Sequence, residues 1–433
     1  IRLTQLGRSA QTLTETTGTG ILISGATSTF NGNVDFKFPQ IYLNGTTYNG
    51  TATIRKNGAT DNASVGGNIF NGTTTITNTS ANFIRLANTN PDNYNADVTF
   101  AQNNSGVLAP NYNANCTYGG NVTVSSSSTY TITFGSGTGT ATFSGGNAQT
   151  INKSGSVGNP VFTRLVMNKT ANDVTLNTRI NISTSLTLTQ GLINTTSTNI
   201  LNMNNASTTT IGNALSYING PMNYDMALSG SRALNFPIGK SADWRPVTLT
   251  AVNNSATSYT YKGEVTNANA NSLGYVKPAT VDTVSHVHYW DIDRSLTSTG
   301  VASNANVSGN QTILIYYGAN DGVTDPSNLT IVKNTSAAPT NWIDIGGTGA
   351  TAGAGSVSST SSPSAFTSYS RFTLANKKGG TNPLPIELLY FTANPVEKKV
   401  NLDWATASET NNSHFEIERS ADGVNFEYVA SIN

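Results

Sequence analysis

Cysteine occurs once in the chain, at Cys116, so no internal disulfide can tie the fold together. A lone thiol of this kind reads as a small buried hydrophobe rather than a nucleophile. Charge is almost as scarce: 11% of residues are charged, 23 basic against 23 acidic. So neutral a surface leaves no electrostatic footprint for nucleic acid or anionic lipid, which sets both aside as partners. No apolar run reaches the roughly 20 residues of a transmembrane helix, so membrane insertion is not expected. Three histidines in 433 residues leave little for acid–base chemistry. No signal peptide is visible, and the chain begins at Ile1 without Met, as a processed piece of a longer polypeptide does.

Thr, Asn, Ser and Gly stand where charge is missing. Thr suits a pleated surface, while Asn and Gly supply turns, so this alphabet points to many short strands joined by tight corners. Lys, Glu and Arg, which dress exposed helix faces, are few, and very little helix is expected. The length calls for two or three structural units rather than one core.

A repeat fills the first half. The chain reads F-N-G-N-V-D-F from Phe30, Y-N-G-T-A-T-I from Tyr48 and F-N-G-T-T-T-I from Phe70. It continues as Y-N-A-D-V-T-F from Tyr94 and Y-G-G-N-V-T-V from Tyr118, with a looser echo from Phe143. The spacings are 18, 22, 24, 24 and 25 residues. Each copy is an aromatic residue, an Asn/Gly corner and an alternating strand with one face inward. Such a strand cannot bury that face alone, and a period in the low twenties matches one coil of a parallel β-helix. Coils stacked at about 4.8 Å would set the repeated rings above one another as an internal ladder. The Asn after most of these rings would form a second ladder at the corner, amide to amide. From Val161 to Met222 short apolar pairs without the aromatic marker continue the pattern. Residues 20 to 222 would supply about nine coils and a rod on the order of 40 Å. A sandwich of hairpins is the rival architecture; the near-constant spacing favours stacking.

Beyond Asn219-Gly220-Pro221 the pattern changes. Strand-like runs at Tyr259 to Val265, His286 to Ile292, Thr312 to Tyr317, Leu329 to Val332 and Ser370 to Leu374 suggest an antiparallel β-sandwich. Gly346 to Ser364, rich in Gly, Ser, Ala and Thr, reads as a surface loop. The expected layout is therefore a solenoid over 1–222, a sandwich over 223–376, a polar linker over 377–383 and a partial module over 384–433.

That last module carries a resemblance. L-P-I-E-L-L-Y-F-T-A from Leu384, V-N-L-D-W-A-T-A-S-E-T-N-N from Val400 and F-E-I-E-R-S-A-D-G-V-N-F from Phe415 closely resemble the fibronectin type III-like domain near the C-termini of Bacteroidota proteins exported by the type IX secretion system. F-P-I-G-K at Phe236 to Lys240, W-R-P-V-T-L at Trp244 to Leu249 and the F-N-G-T-T-T-I repeats also resemble large surface proteins of these bacteria, among them adhesins of gliding and biofilm. In that family a sorting domain usually follows the module; this sequence stops at Asn433, about half-way through it, so export is implied by the neighbourhood alone. The resemblance implies an extracellular, cell-surface location and contact with the type IX machinery during export. It also implies adhesion to surface polysaccharide or self-association into filaments.

Parallel β-helices are often polysaccharide lyases or hydrolases, which makes a polysaccharide-binding or polysaccharide-degrading protein the alternative. Such enzymes need clustered carboxylates. Asp35 and Asp97 read as solvent-face residues, and Asp92, after Pro91, as a corner; Asp61 and Asp173 are the other candidates beside Glu15. His286 and His288 alternate on one strand, with Asp291 or Asp293 near, and form a candidate metal pair. The loop from Gly318 to Asp325 offers two carboxylates to Ca²⁺ without matching a calcium signature. Asp282-Thr283-Val284 resembles the Bacteroidota O-glycosylation triplet, with Thr283 as acceptor. Trp244, Trp290 and Trp342 are candidate sugar platforms, and Trp404 a core residue. The expectation is a non-enzymatic structural protein with no catalytic, cofactor or metal residue assigned.

Overall fold

The computed structural model describes the chain except positions 1, 7–9, 16–18, 227–229, 254, 306, 308–310, 336–339, 361–367, 383–387, 398, 407–413, 422, 424 and 433. Among the described residues the chain is all-β, without α-helix: a parallel β-solenoid of about ten coils is followed by antiparallel sheets. It divides into two compact units, Ile1–Val265 with Asp293–Val307, and Thr266–Ile292 with Ser308–Asn433.

One wall of the solenoid stacks Val34–Phe38, Ala52–Lys56, Thr74–Asn78, Val98–Gln102 and Val122–Ser126 in parallel. Phe36, Ile54, Ile76, Phe100 and Val124 fall in one register column and are buried. Between them Thr53, Thr75, Thr99 and Thr123 point outward and are half-buried. This is the period-two alternation of a strand with one face in the core. A third, shorter wall pairs Asn62–Ala63, Ile84–Arg85 and Leu108–Ala109.

Facing the first wall, Thr47–Tyr48, Ile69–Phe70, Asn93–Tyr94 and Cys116–Tyr118 pair in register, joined by Ile21–Phe30 below and Ala141–Gly145 above. This places Phe30, Tyr48, Phe70, Tyr94, Tyr118 and Phe143 in a single buried column. Successive ring centroids are 5.4, 4.8, 4.9, 5.3 and 5.7 Å apart, and the planes are within 13° of parallel until the last step, which opens to 29°. Above Phe143 the same column holds Met167 and then Leu188. A neighbouring column starts with Phe134 stacked on Phe162 at 4.4 Å and continues through Ile182, Met203 and Tyr224. The aromatic marker fades after Phe143 because aliphatic side chains take over the same interior seats.

Parallel pairing runs past residue 222 to Ile238–Lys240, where Ile218 lies opposite Ile238. It then gives way to antiparallel partners. Gly239 and Lys240 pair with Trp244 and Asp243, and Met222–Met226 pairs with Tyr259–Asn267. A parallel stack leaves an edge that the next coil can extend, and reversing strand direction occupies that edge. The segment Asp293–Val307 is held here by the buried Arg294, whose guanidinium lies 3.3 Å from the Tyr259 ring centroid and donates to the Ser303 and Ala305 carbonyls.

The second unit is antiparallel. Arg371–Lys377 pairs with Leu329–Asn334 and Val281–Val284, and Leu329–Asn334 also pairs with Trp342–Asp344. Ala270, Val281, Val284, Val332, Trp342 and Ala375 form a buried cluster there. The segment from Gly346, expected to be loop, contains the strand Gly355–Ser358, paired with Thr312–Tyr317. Its Ser-Val-Ser alternation buries Val357 alone, too brief a pattern to stand out from Gly/Ser surroundings. Residues 361–364 of the expected loop lie outside the described residues. Two hairpins follow, Leu388–Val396 with Lys399–Thr406, and Phe415–Ser420 with Phe426–Ile432. Residue 383 of the expected linker, residues 384–387 and 407–412 of the resemblance motifs, and positions 422 and 424 are outside the described residues.

Candidate functional site

The solenoid has a surface device and an interior one. At the surface, the column rings Phe30, Tyr48, Phe70 and Tyr94 are each followed by Asn. Asn49 Nδ2 donates to Asn31 Oδ1 at 2.8 Å, Asn71 to Asn49 at 2.8 Å and Asn95 to Asn71 at 2.7 Å. The ladder stops where Gly119 replaces Asn. A second corner repeats the idea: Asn33 accepts from the Thr51 amide, Asp97 from Asn121, and Asn121 from Thr150. Chain direction at these corners is thus secured by side-chain amides that bridge coils.

Inside, two places before the rings, runs a polar column. The Thr46 amide donates to Asn68 Oδ1 at 3.0 Å, the Asn68 amide to Asp92 Oδ1 at 2.9 Å and the Asp92 amide to Cys116 Sγ at 3.2 Å. Side chains of each coil therefore accept from the backbone of the coil below. Asn68 Nδ2 adds a second bond to Asp92 Oδ1 at 2.7 Å. Asp92 Oδ2 and the Tyr94 hydroxyl are both buried and have no hydrogen-bond partner. Burial, opposed by the Asn68 hydrogen bonds, pushes the Asp92 carboxyl up to about 7. Burial likewise raises Cys116, leaving a thiol without thiolate character. Two lysines complete the interior. Lys56 Nζ donates to Gly58 O and Ser80 Oγ, and Lys169 Nζ to Ser144 O, Asn147 O and Gln149 Oε1; desolvation lowers both pKa values.

The sequence candidates fall as follows. Asp92, read from the sequence as a corner residue, is a core residue, because it stands two places before Tyr94 and shares its inward face. Asp35 pairs with Arg55 at 2.9 Å, Asp61 accepts from Asn82 and the Phe83 amide, and Asp173 accepts from the Leu192 amide and Asn194. Each bridges coils of the stack. His286 and His288 are both buried, and His288 Nδ1 meets Asp321 Oδ1 at 2.7 Å. Asp291 pairs with Arg371 and Asp293 with Lys262 instead. In the loop from Gly318, Asp321 also accepts from the Gly318 amide, while Asp325 accepts from Ser327 and Asn328. The two loop carboxylates serve separate local networks. Among the described residues no group of three or more His, Cys, Asp or Glu is placed to hold a metal ion.

Thr283 is buried at 4% exposure and its hydroxyl donates to the Val284 carbonyl, so an O-linked sugar there is incompatible with the folded strand. Trp290 and Trp342 are core residues; Trp244 is half-buried with Nε1 donating to Ile211 O. Trp404 lies between Phe391 and Phe415, at 6.4 and 5.8 Å. The interior column and the His288–Asp321 pair were missed in sequence, although period-two counting from Tyr94 was a signal for Asp92. The sequence matches no protein-family model, no curated protein and no solved structure.

Proposed function

We propose that this chain is a structural, adhesive segment of an extracellular bacterial surface protein, a stiff stalk that carries antiparallel modules. The observation that supports it is the in-register column from Phe30 to Phe143, flanked by the Asn31–Asn95 amide ladder. A stack whose coils contact mainly their neighbours, with backbone bonds running along its axis, resists bending and proteolysis without charge or disulfides. In the solenoid Asp35, Asp61, Asp97 and Asp173 are engaged in bridging coils, which favours a scaffold over a hydrolase. Export by a type IX system, a location on the cell surface, and contact with surface polysaccharide or further copies rest on the resemblance of the C-terminal motifs.

The test is to incubate the purified chain with a panel of polysaccharides and to measure both reducing-end release and retention. No turnover is expected. Turnover on any member overturns the scaffold reading in favour of a polysaccharide-degrading β-helix, and retention without turnover makes the scaffold a sugar-binding adhesin.

A further inference from the structure

We propose that Asp92 is a protonation latch built into the solenoid: the coils from Tyr48 to Tyr118 are tight while its carboxyl is neutral and loosen when it ionises.

The geometry around it is one-sided. Oδ1 accepts both the backbone and the side-chain N–H of Asn68, whereas Oδ2 is sealed in the core with no donor. An ionised carboxylate needs donors on both oxygens, and leaving one bare in the interior is costly. The Tyr94 hydroxyl can donate to the ionised carboxylate or accept from the neutral acid, so what favours the neutral form is complete burial with no cation beside it.

The groups facing Asp92 come from the coils on both sides, and none is a cation. Asn68 and Gly67 contribute hydrogen bonds from the coil before, and Tyr94 acts from its own strand. Tyr48 lies in an earlier coil, and Cys116 and Tyr118 in the next; each of these three is coupled electrostatically to Asp92, and burial raises all of them, so they stay neutral beside it. Tyr94 is raised in the same way. The hydrogen bonds of Asn68, Gly67 and Tyr94 favour the ionised form, but burial outweighs them and no cation joins them.

The sign follows. The folded carboxyl titrates near 7 against an ordinary 3.8, so the folded chain keeps a proton that the unfolded chain releases. This contribution is whole below the unfolded value, declines across the window between the two, and is gone above the folded value. In that window the unfolding constant should rise by up to about tenfold per pH unit.

The experiment is denaturant unfolding of the wild type and of Asp92→Asn from pH 4 to 9. Asparagine keeps the acceptor for Asn68 and offers an N–H toward Tyr94, so the variant mimics the neutral acid at every pH. The two proteins should match near pH 4, and the variant should become progressively more stable than the wild type up to about pH 7, with a constant difference beyond. Parallel profiles would overturn the latch. Should the variant fail to fold, amide exchange of the wild type decides, corrected for intrinsic rates. Exchange at residues 68–118 should quicken relative to residues 193–218 as pH rises from 4 to about 7 and level off beyond, and equal change in the two regions counts against it.

Discussion

The ring of Phe70 lies parallel to the ring of Tyr48, with centroids 4.8 Å apart and planes 4° from parallel. The distance is the spacing between paired strands, about 4.7–4.9 Å. The backbone ladder and the ring stack therefore share one repeat, and each enforces the other. Tyr94 continues the column at 4.9 Å and 2°, so Phe70 has a ring on either side.

Phe70→Ala should consequently cost more than the loss of one buried ring. It removes two stacked neighbours and leaves a cavity that fixed coils above and below cannot close. A loss of about 3–5 kcal/mol is expected from denaturant unfolding. Phe70→Tyr, which keeps the ring, should cost far less. A Phe70→Ala loss below about 1 kcal/mol would show that the column is incidental to stability.

The Asn ladder makes a subtler prediction, because amides can turn over. Asn71→Ala removes the donor to Asn49 and the acceptor for Asn95, and should cost about 1 kcal/mol at this exposed corner. Asn71→Asp should be nearly neutral. If Asn49 and Asn31 rotate their amides, both neighbours donate to the new carboxylate and the ladder is restored with its polarity reversed below that point. Urea midpoints of the two variants test this, and an aspartate more harmful than alanine defeats the reversal.

Gly72 sits at the corner, where a Cβ would stand 2.2 Å from the Gly50 carbonyl oxygen. The backbone of the coil below leaves no room for it. Gly72→Ala should destabilise by about 1–3 kcal/mol through overpacking. The equivalent residue one coil on is Ala96, so the converse change Ala96→Gly should cost little beyond chain entropy, about 0.5–1 kcal/mol. Thermal unfolding of the pair distinguishes a close-approach glycine from one present for composition alone.

The aromatic column and the corner amides were legible in the sequence because stacking demands the same residue type at the same phase in each coil. Phe30, Tyr48, Phe70, Tyr94 and Tyr118 carry that phase openly. Asp92 was not legible by the same rule. A carboxylate in a polar chain normally marks the surface, and Pro91 beside it suggested a corner. Only the alternation from Tyr94 through Asn93 placed it inside, and in a chain this rich in Asn and Thr that pattern is easily overridden. Pairings such as His288 with Asp321 or Asp291 with Arg371 join residues separated by 33 and 80 positions, and local spacing carries no trace of such partners.

The His288–Asp321 pair carries the last prediction. Both side chains are almost fully enclosed, at 2% and 0% exposure, and Asp321 additionally accepts the Gly318 amide. The carboxylate thus ties the turn Ala319–Asp321 to the strand that begins at His288. Truncation leaves an imidazole and a backbone N–H without this acceptor, and breaking a buried pair in this way costs about 3–5 kcal/mol. Asp321→Ala should therefore lower the melting temperature markedly and speed amide exchange at Gly318 and along Thr312–Tyr317. Asp321→Asn should lose less, since its carbonyl can still accept the Gly318 amide and its NH₂ can donate to a neutral imidazole. If alanine and asparagine are equally mild, the pair is a consequence of burial rather than the tie that positions the loop.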